Sequence, residues 1–178
     1  LPSAVTGGSG LDASNIGITG ADCWRMNQPW TGDATPIINY WERDDTYGFD
    51  KIGAGMDTPS SGVFSYPNEG FWYISFHCRF WSNAETRYII AEIGGTTNFA
   101  GASNWYTVSD STANVPGELQ GDTTHGASSP AVAIIKVTDT ANDKVRFSLV
   151  SSVSGSTGYQ GSTASNLTYA VFLRLGDI

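Results

Sequence analysis

Two histidines, two cysteines and several close-set aspartates are the residues of this 178-residue chain whose types could carry chemistry. Catalysis needs a nucleophile beside a base, paired carboxylates in a cleft, or a metal. His77 falls midway along an alternating run, where a hydrogen-bonded or solvated imidazole is expected; three copies around an axis would make a pH-sensitive contact. His125 lies in the Gly/Thr-rich stretch GDTTHGASS and is expected exposed in a loop. None of the spacings His-Glu-x-x-His, Gly-x-Ser-x-Gly or Cys-x-x-Cys occurs. The expectation is a protein that is not an enzyme and carries no cofactor.

Asp44, Asp45 and Asp50 form one acidic group, and Asp139 and Asp143 another, with oxygens of the kind that bind calcium. Neither group has the regular alternation and closing Glu of a calcium loop. Turn formation is expected to explain both, and no metal site is expected. Cys23 and Cys78 read either as one disulfide or as two small buried hydrophobes. A domain of this length needs no cross-link and Cys78 stands on an apolar face, which favours free thiols. Asn166-Leu167-Thr168 has the form of a glycosylation sequon, meaningful only in a eukaryotic secreted protein. Six Trp and eight Tyr also suit sugar recognition through ring stacking. Most fall on expected strands, where core or interface is the default. Trp105, Tyr106 and Tyr159 fall in or beside long loops and are the candidate ligand residues.

The elements that must hold these residues are strands. Residues 62–81 read GVFSYPNEGFWYISFHCRFW, a Pro-Asn-Glu-Gly turn followed by eleven residues with two interleaved faces. Trp72, Ile74, Phe76, Cys78 and Phe80 make one wholly apolar face. Phe71, Tyr73, Ser75, His77, Arg79 and Trp81 make the other, which starts apolar and turns polar. A sheet with one wet face alternates cleanly. Here the start of the strand is greasy on both sides, so a second cover is needed, and another copy of the chain is its natural source.

Twenty-one Gly, 12% aromatic and 15% charged residues fit one all-β domain long enough to bury a core. Nine Lys+Arg against seventeen Asp+Glu give a net charge of −8, which disfavours nucleic acid and anionic membrane surfaces as partners. No apolar run approaches the ~20 residues that span a bilayer. The start at Leu1-Pro2 shows no basic-then-apolar leader, which suggests a processed chain or part of a longer one. Residues 1–20 read as an N-terminal arm or linker, and residues 21–178 as the domain. Strands are expected from residue 21 through Trp30, over 36–42, irregularly over 49–56, then over 86–93, 131–137, 144–150 and 167–175. Residues 96–130 are weakly patterned, with 105–108 as their one expected strand, and 151–165 are expected as a loop carrying Tyr159. In 144–150, Val145, Phe147 and Leu149 should point inward. The last strand, LTYAVFLRL, is again apolar on both faces. The sum is a two-sheet sandwich.

The segments GVFSYPNEGFWYISF, VTDTANDKVRFSL and NLTYAVFLRLGDI resemble the turn-strand, penultimate-strand and final-strand patterns of the complement C-one-q and tumour necrosis factor superfamily, over residues 21–178. The segments ITGADCWRMNQPWTGDATPIINYWERDD and TYAVFLRLGDI resemble the globular heads of structural proteins from marine tailed bacteriophages, cyanophages among them. That resemblance implies a ten-strand antiparallel jelly-roll sandwich that trimerises, with Phe71, Tyr73, Tyr169, Val171 and Leu173 facing the three-fold axis. In the family's strand order the first and the turn-following strands are not neighbours, which disfavours a Cys23–Cys78 bond. The implied role is a virion component: the head of a fibre or spike that binds itself, other virion proteins through the N-terminal arm, and a host-surface glycan or protein. A capsid decoration protein of the same fold and a secreted carbohydrate-binding module are the rival readings. Residues 96–130 are longer than in many members and the arm lacks a collagen-like repeat, so the immune roles of the animal members are not carried over.

Overall fold

The computed structural model describes residues 17–48, 50–99, 104–115 and 125–178. Among them lie eleven strands: β1 (Gly20–Met26), β2 (Trp30–Thr31), β3 (Trp41–Arg43), β4 (Val63–Ser65), β5 (Gly70–Ser82), β6 (Thr86–Thr96), β7 (Tyr106–Val115), β8 (His125–Val137), β9 (Lys144–Ser151), β10 (Thr157–Tyr159) and β11 (Tyr169–Gly176). All pairings are antiparallel. One sheet runs β3-β1-β11-β5-β8, with β10 and then β2 continuing it beside the far end of β5; the other runs β4-β9-β6-β7. The first and last strands pair with each other, and both lie one step or two from the central β5. This is a jelly-roll sandwich.

Alternation explains the layers. Trp72, Ile74, Phe76, Cys78 and Phe80 are all buried, as their spacing predicts, and so are Val145, Phe147 and Leu149 on β9. Where the sheets meet, Trp41, Phe64, Phe76, Phe147 and Phe172 form one aromatic cluster. Its ring centroids stand 4.7 Å apart for Phe76–Phe147, 5.2 Å for Trp41–Phe64 and 5.4 Å for Phe64–Phe172. Several of these pairs are edge-on or tilted, the geometry in which aromatic quadrupoles attract.

The turns follow their chemistry. In the turn before β5, the Trp72 indole N–H donates to the Asn68 carbonyl at 3.1 Å. Before β9, one Asp143 oxygen accepts the backbone N–H groups of Thr138 at 2.6 Å and Asp139 at 3.0 Å. Gly62, entering β4, sits at φ +77°, and a Cβ there would stand 2.2 Å from the Ile37 carbonyl oxygen. Strained backbone and a rigid steric contact combine at that point. Gly62→Ala is expected to cost about 1–3 kcal/mol, measured as a fall in the urea midpoint with an unchanged slope; an unshifted midpoint would show that the 37–38 segment yields freely.

Several expected elements change. Of the 36–42 run only Trp41 and Glu42 are strand, as the start of β3. Pro36 offers no N–H, and the segment before Trp41 is drawn to the second sheet instead, through Ala34–Leu149 and Ile37–Phe147 backbone bonds. Tyr40 then reverses the chain at φ +67°. Trp30 leaves the first strand for β2. In the 49–56 run, Ile52 makes an isolated bridge to Ala21, while Phe49 lies outside the described residues. The 96–130 stretch holds two long strands, β7 and the first half of β8; residues 100–103 and 116–124 lie outside the description. His125 opens β8 opposite Ser82, so it is not in a loop, and the exposure expected of its side chain lies outside the described residues. The 151–165 stretch contains a 3-10 turn and β10. Of the N-terminal arm, residues 1–16 lie outside the description.

Candidate functional site

The outer surface of the β1-β11-β5-β8 sheet gathers the residues whose types stood out. Leu173 lies opposite Tyr73, Val171 opposite Ser75, Tyr169 opposite His77, and Gly176 opposite Phe71. The five residues Phe71, Tyr73, Tyr169, Val171 and Leu173 therefore share one face of two adjacent strands. The neighbours extend it. Ile134 pairs with Tyr73 and Val132 with Ser75 across β8, and they are 64% and 45% exposed. Ala21 and Cys23 stand opposite Leu173 and Val171 on β1. Among the described residues, no charged side chain projects from this face between Lys136 at one end and Arg25 and Arg79 at the other.

Val132 and Ile134 were legible but not singled out. In AVAIIKV the inward Ala131 and Ala133 are small and the outward residues are large. A strand that puts its bulk outward carries the same double-sided pattern as β5 and β11. Exposed contiguous apolar surface of this kind marks an interaction site.

Toward its polar end the face carries His77. Its ring stacks on Tyr169, with centroids 4.7 Å apart and planes 7° apart. Its Nε2 lies 2.6 Å from Ser75 Oγ. Desolvation holds the imidazole below its ordinary pKa, which favours a neutral ring. The expected hydrogen-bonded histidine fits this geometry.

Beyond Cys23, the face ends in a covered ionic hub. Arg25 donates from Nε to Glu42 and from one terminal nitrogen to Asp44, both at 2.8 Å, and the same nitrogen reaches Thr46 Oγ1 at 3.1 Å. Its other terminal nitrogen donates to the Thr163 carbonyl. Asn166 completes the hub, its amide donating to the second Asp44 oxygen at 2.7 Å. Asp44 is thus no turn former: it is a buried counter-ion. Asn166 of the sequon spends its amide here, and Thr168 is fully buried. Asp139 and Asp143 do shape a turn. Among the described residues no three His, Cys, Asp or Glu side chains converge as a metal site would need. Cys23 and Cys78 are free thiols, on strands separated by β11. Desolvation pushes the Cys23 thiol up to about 12, with Asp44 and Asp22 adding to it, which keeps it protonated and unreactive.

The three candidate ligand aromatics are not brought together. Trp105 is half-buried before β7, with the Arg146 guanidinium 4.3 Å from its ring centre and Phe99 edge-on at 6.3 Å, so its stacking face is already used. Tyr106 opens β7 and is 65% exposed. Tyr159 is 2% exposed on β10, paired with Trp30 and Phe80. It is a wall of the core and not a loop residue. Its burial depends on β2, which no local pattern announced.

No family model and no curated protein matches the sequence. Solved structures do match the fold. The chain is similar to the Eiger tumour necrosis factor of S. frugiperda at a TM-score of 0.63 and 12% identity, covering 89% of this chain and 93% of that one. It is similar to murine APRIL at 0.58 and 11%, covering 88% and 98%. It is also similar to the globular domain of zebrafish complement 1qA at 0.51 and 12%, covering 88% and 95%. The fold is a jelly roll of the C-one-q and tumour necrosis factor type.

Proposed function

We propose that this chain is the non-enzymatic head of a bacteriophage fibre or spike, that it works as a homotrimer on the particle surface, and that it contributes to attachment to the host cell. The observation that carries the reading is the uncharged apolar face formed by Phe71, Tyr73, Val132, Ile134, Tyr169, Val171 and Leu173. Apolar side chains buried fully at a contact contribute ~1.5–3 kcal/mol each, so a handful per subunit supports a stable assembly. Closed point symmetry is the usual way such a face is satisfied. The phage setting is supported by the resemblance of residues 18–45 and 168–178 to heads of marine phage structural proteins. The N-terminal arm is the natural link to other virion proteins.

Sedimentation equilibrium tests the assembly, with three times the chain mass expected at micromolar concentration; a single-chain mass sinks it. Fluorescently labelled protein incubated with marine cyanobacterial cells tests attachment. Cells that stay dark at every ionic strength remove the attachment role and leave the assembly standing.

A further inference from the structure

The loop that the second sheet draws inward, residues 32–40, closes one wall of a cleft at the β2–β10 end of the molecule. Its volume is about 230 Å³, and Trp30, Asp33, Pro36, Asn39, Tyr40 and Tyr159 line it. We infer that this cleft binds a single neutral pyranose ring, stacked on Trp30 and hydrogen-bonded by Asp33, Asn39 and Tyr159.

The polar groups of the cleft are poised and unspent. Tyr159 is almost wholly buried, but its hydroxyl oxygen stays open to solvent at the cleft and has no hydrogen-bond partner among the described residues. Burial, with Cys78 and Tyr40 nearby, pushes its pKa up, so the group is a neutral hydroxyl able to donate. Asp33 is fixed by one oxygen, which accepts from Ser151 N at 2.9 Å and Ser151 Oγ at 3.2 Å. Among the described residues its other oxygen has no partner. The Asn39 side chain has none either. Three groups of different donor and acceptor capacity thus face one small space.

The apolar wall is equally specific. Trp30 is 36% exposed, and its ring centroid lies 5.9 Å from that of Tyr40 at an interplanar angle of 47°. Tyr40 holds its place at φ +67°, a strained conformation for a bulky residue. Such strain persists where surrounding structure enforces it, and it clusters at ligand sites. The Ala34–Leu149 and Ile37–Phe147 backbone bonds supply that enforcement, so the cleft is preformed. An aromatic plane beside hydroxyl-matching polar groups fits a sugar, which is apolar on its ring faces and polar at its rim.

Size and charge narrow the class. The cleft is below the ~300–1,000 Å³ of drug-sized pockets, which admits one ring and not a chain. Among the lining residues the one charge is the Asp33 carboxylate, and the whole chain carries −8. Uronic and sialic acids would meet like charge with no cation to receive them. The cleft also lies past Phe80 on β5, at the opposite end from Phe71 and Leu173, so occupancy and assembly are separable.

Saturation-transfer difference NMR on the full chain at pH 7 tests this, with methyl α-glucopyranoside, α-mannopyranoside, α-galactopyranoside and glucuronic acid as probes. At least one neutral glycoside should receive saturation and glucuronic acid none. Trp30→Ala should weaken binding about ten-fold or more. Tyr159→Phe keeps the buried ring and should weaken it about five-fold, with near-ultraviolet dichroism unchanged. Silence from all three neutral probes overturns the proposal, as does equal transfer to glucuronic acid or undiminished transfer in Trp30→Ala. A monomeric mass with glycoside binding intact would overturn the assembly reading instead.

Discussion

Ile134→Glu is expected to turn the proposed trimer into single chains. Ile134 is 64% exposed in the lone subunit and lies beside Tyr73 in register, so the substitution removes no contact that the fold needs. In the assembly it would set a carboxylate against Tyr73, Val171 and Leu173, with Lys136, two residues along β8, as the nearest cation of that face. Removing that charge from water costs about 3 kcal/mol, or roughly a hundred-fold in association. Repetition by symmetry multiplies the penalty. Leu173→Glu should act the same way. Tyr88→Glu is the matched control, since Tyr88 is 39% exposed on the other sheet and should leave the mass unchanged. Sedimentation velocity distinguishes the three. A trimeric Ile134→Glu protein, correctly folded by circular dichroism, would move the contact away from β8.

The second large effect concerns the folded subunit. Arg25→Met is expected to destabilise the fold by about 3–5 kcal/mol. The side chains of Arg25 and Asp44 are 3% and 1% exposed, so the loss leaves a buried carboxylate facing only the Asn166 amide and, at 3.4 Å, the Thr46 hydroxyl. It also takes the donor away from Glu42 and from the Thr163 carbonyl. The double variant Arg25→Met/Asp44→Leu should recover most of the loss, because well-packed apolar residues often replace a buried pair at little cost. Urea melts measure both. Equal instability of the single and double variants would mean that Arg25 acts through its other partners, and that Asp44 is not the main burden.

The sequence was readable where a strand's own alternation decided its fate. β5, β9 and β11 bury the residues that their period assigns to the core, and the apolar residues on the reverse of β5 and β11 do gather on one surface. What could not be read depends on contacts made far along the chain. β7 is polar on both sides, with Ser109, Asp110, Ser111 and Thr112 in succession, because it sits at the edge of its sheet, where polar residues blunt unwanted pairing. β10 is only Thr-Gly-Tyr inside a Gly/Ser-rich stretch. Its Gly158 is needed because a Cβ there would stand 2.3 Å from the Trp30 carbonyl oxygen, a contact between residues remote in sequence. The same remoteness hid the burial of Tyr159 and misread Asp44 as a turn residue. The Arg146 guanidinium, from a different strand, lies over the Trp105 ring, a contact that no local pattern announced.

β1 and β11 are neighbours, with Gly20 facing Arg174, so the chain enters its first strand and leaves its last at a common pole. Trp30 and Tyr159 lie at the other pole, about 30 Å along β5 from Phe71 by strand rise. A tether joined at the start of β1 or at the end of β11 would therefore hold the molecule by its base and turn the cleft outward, toward whatever approaches. Geometry of this kind suits display: the mount and the business end never compete for the same space.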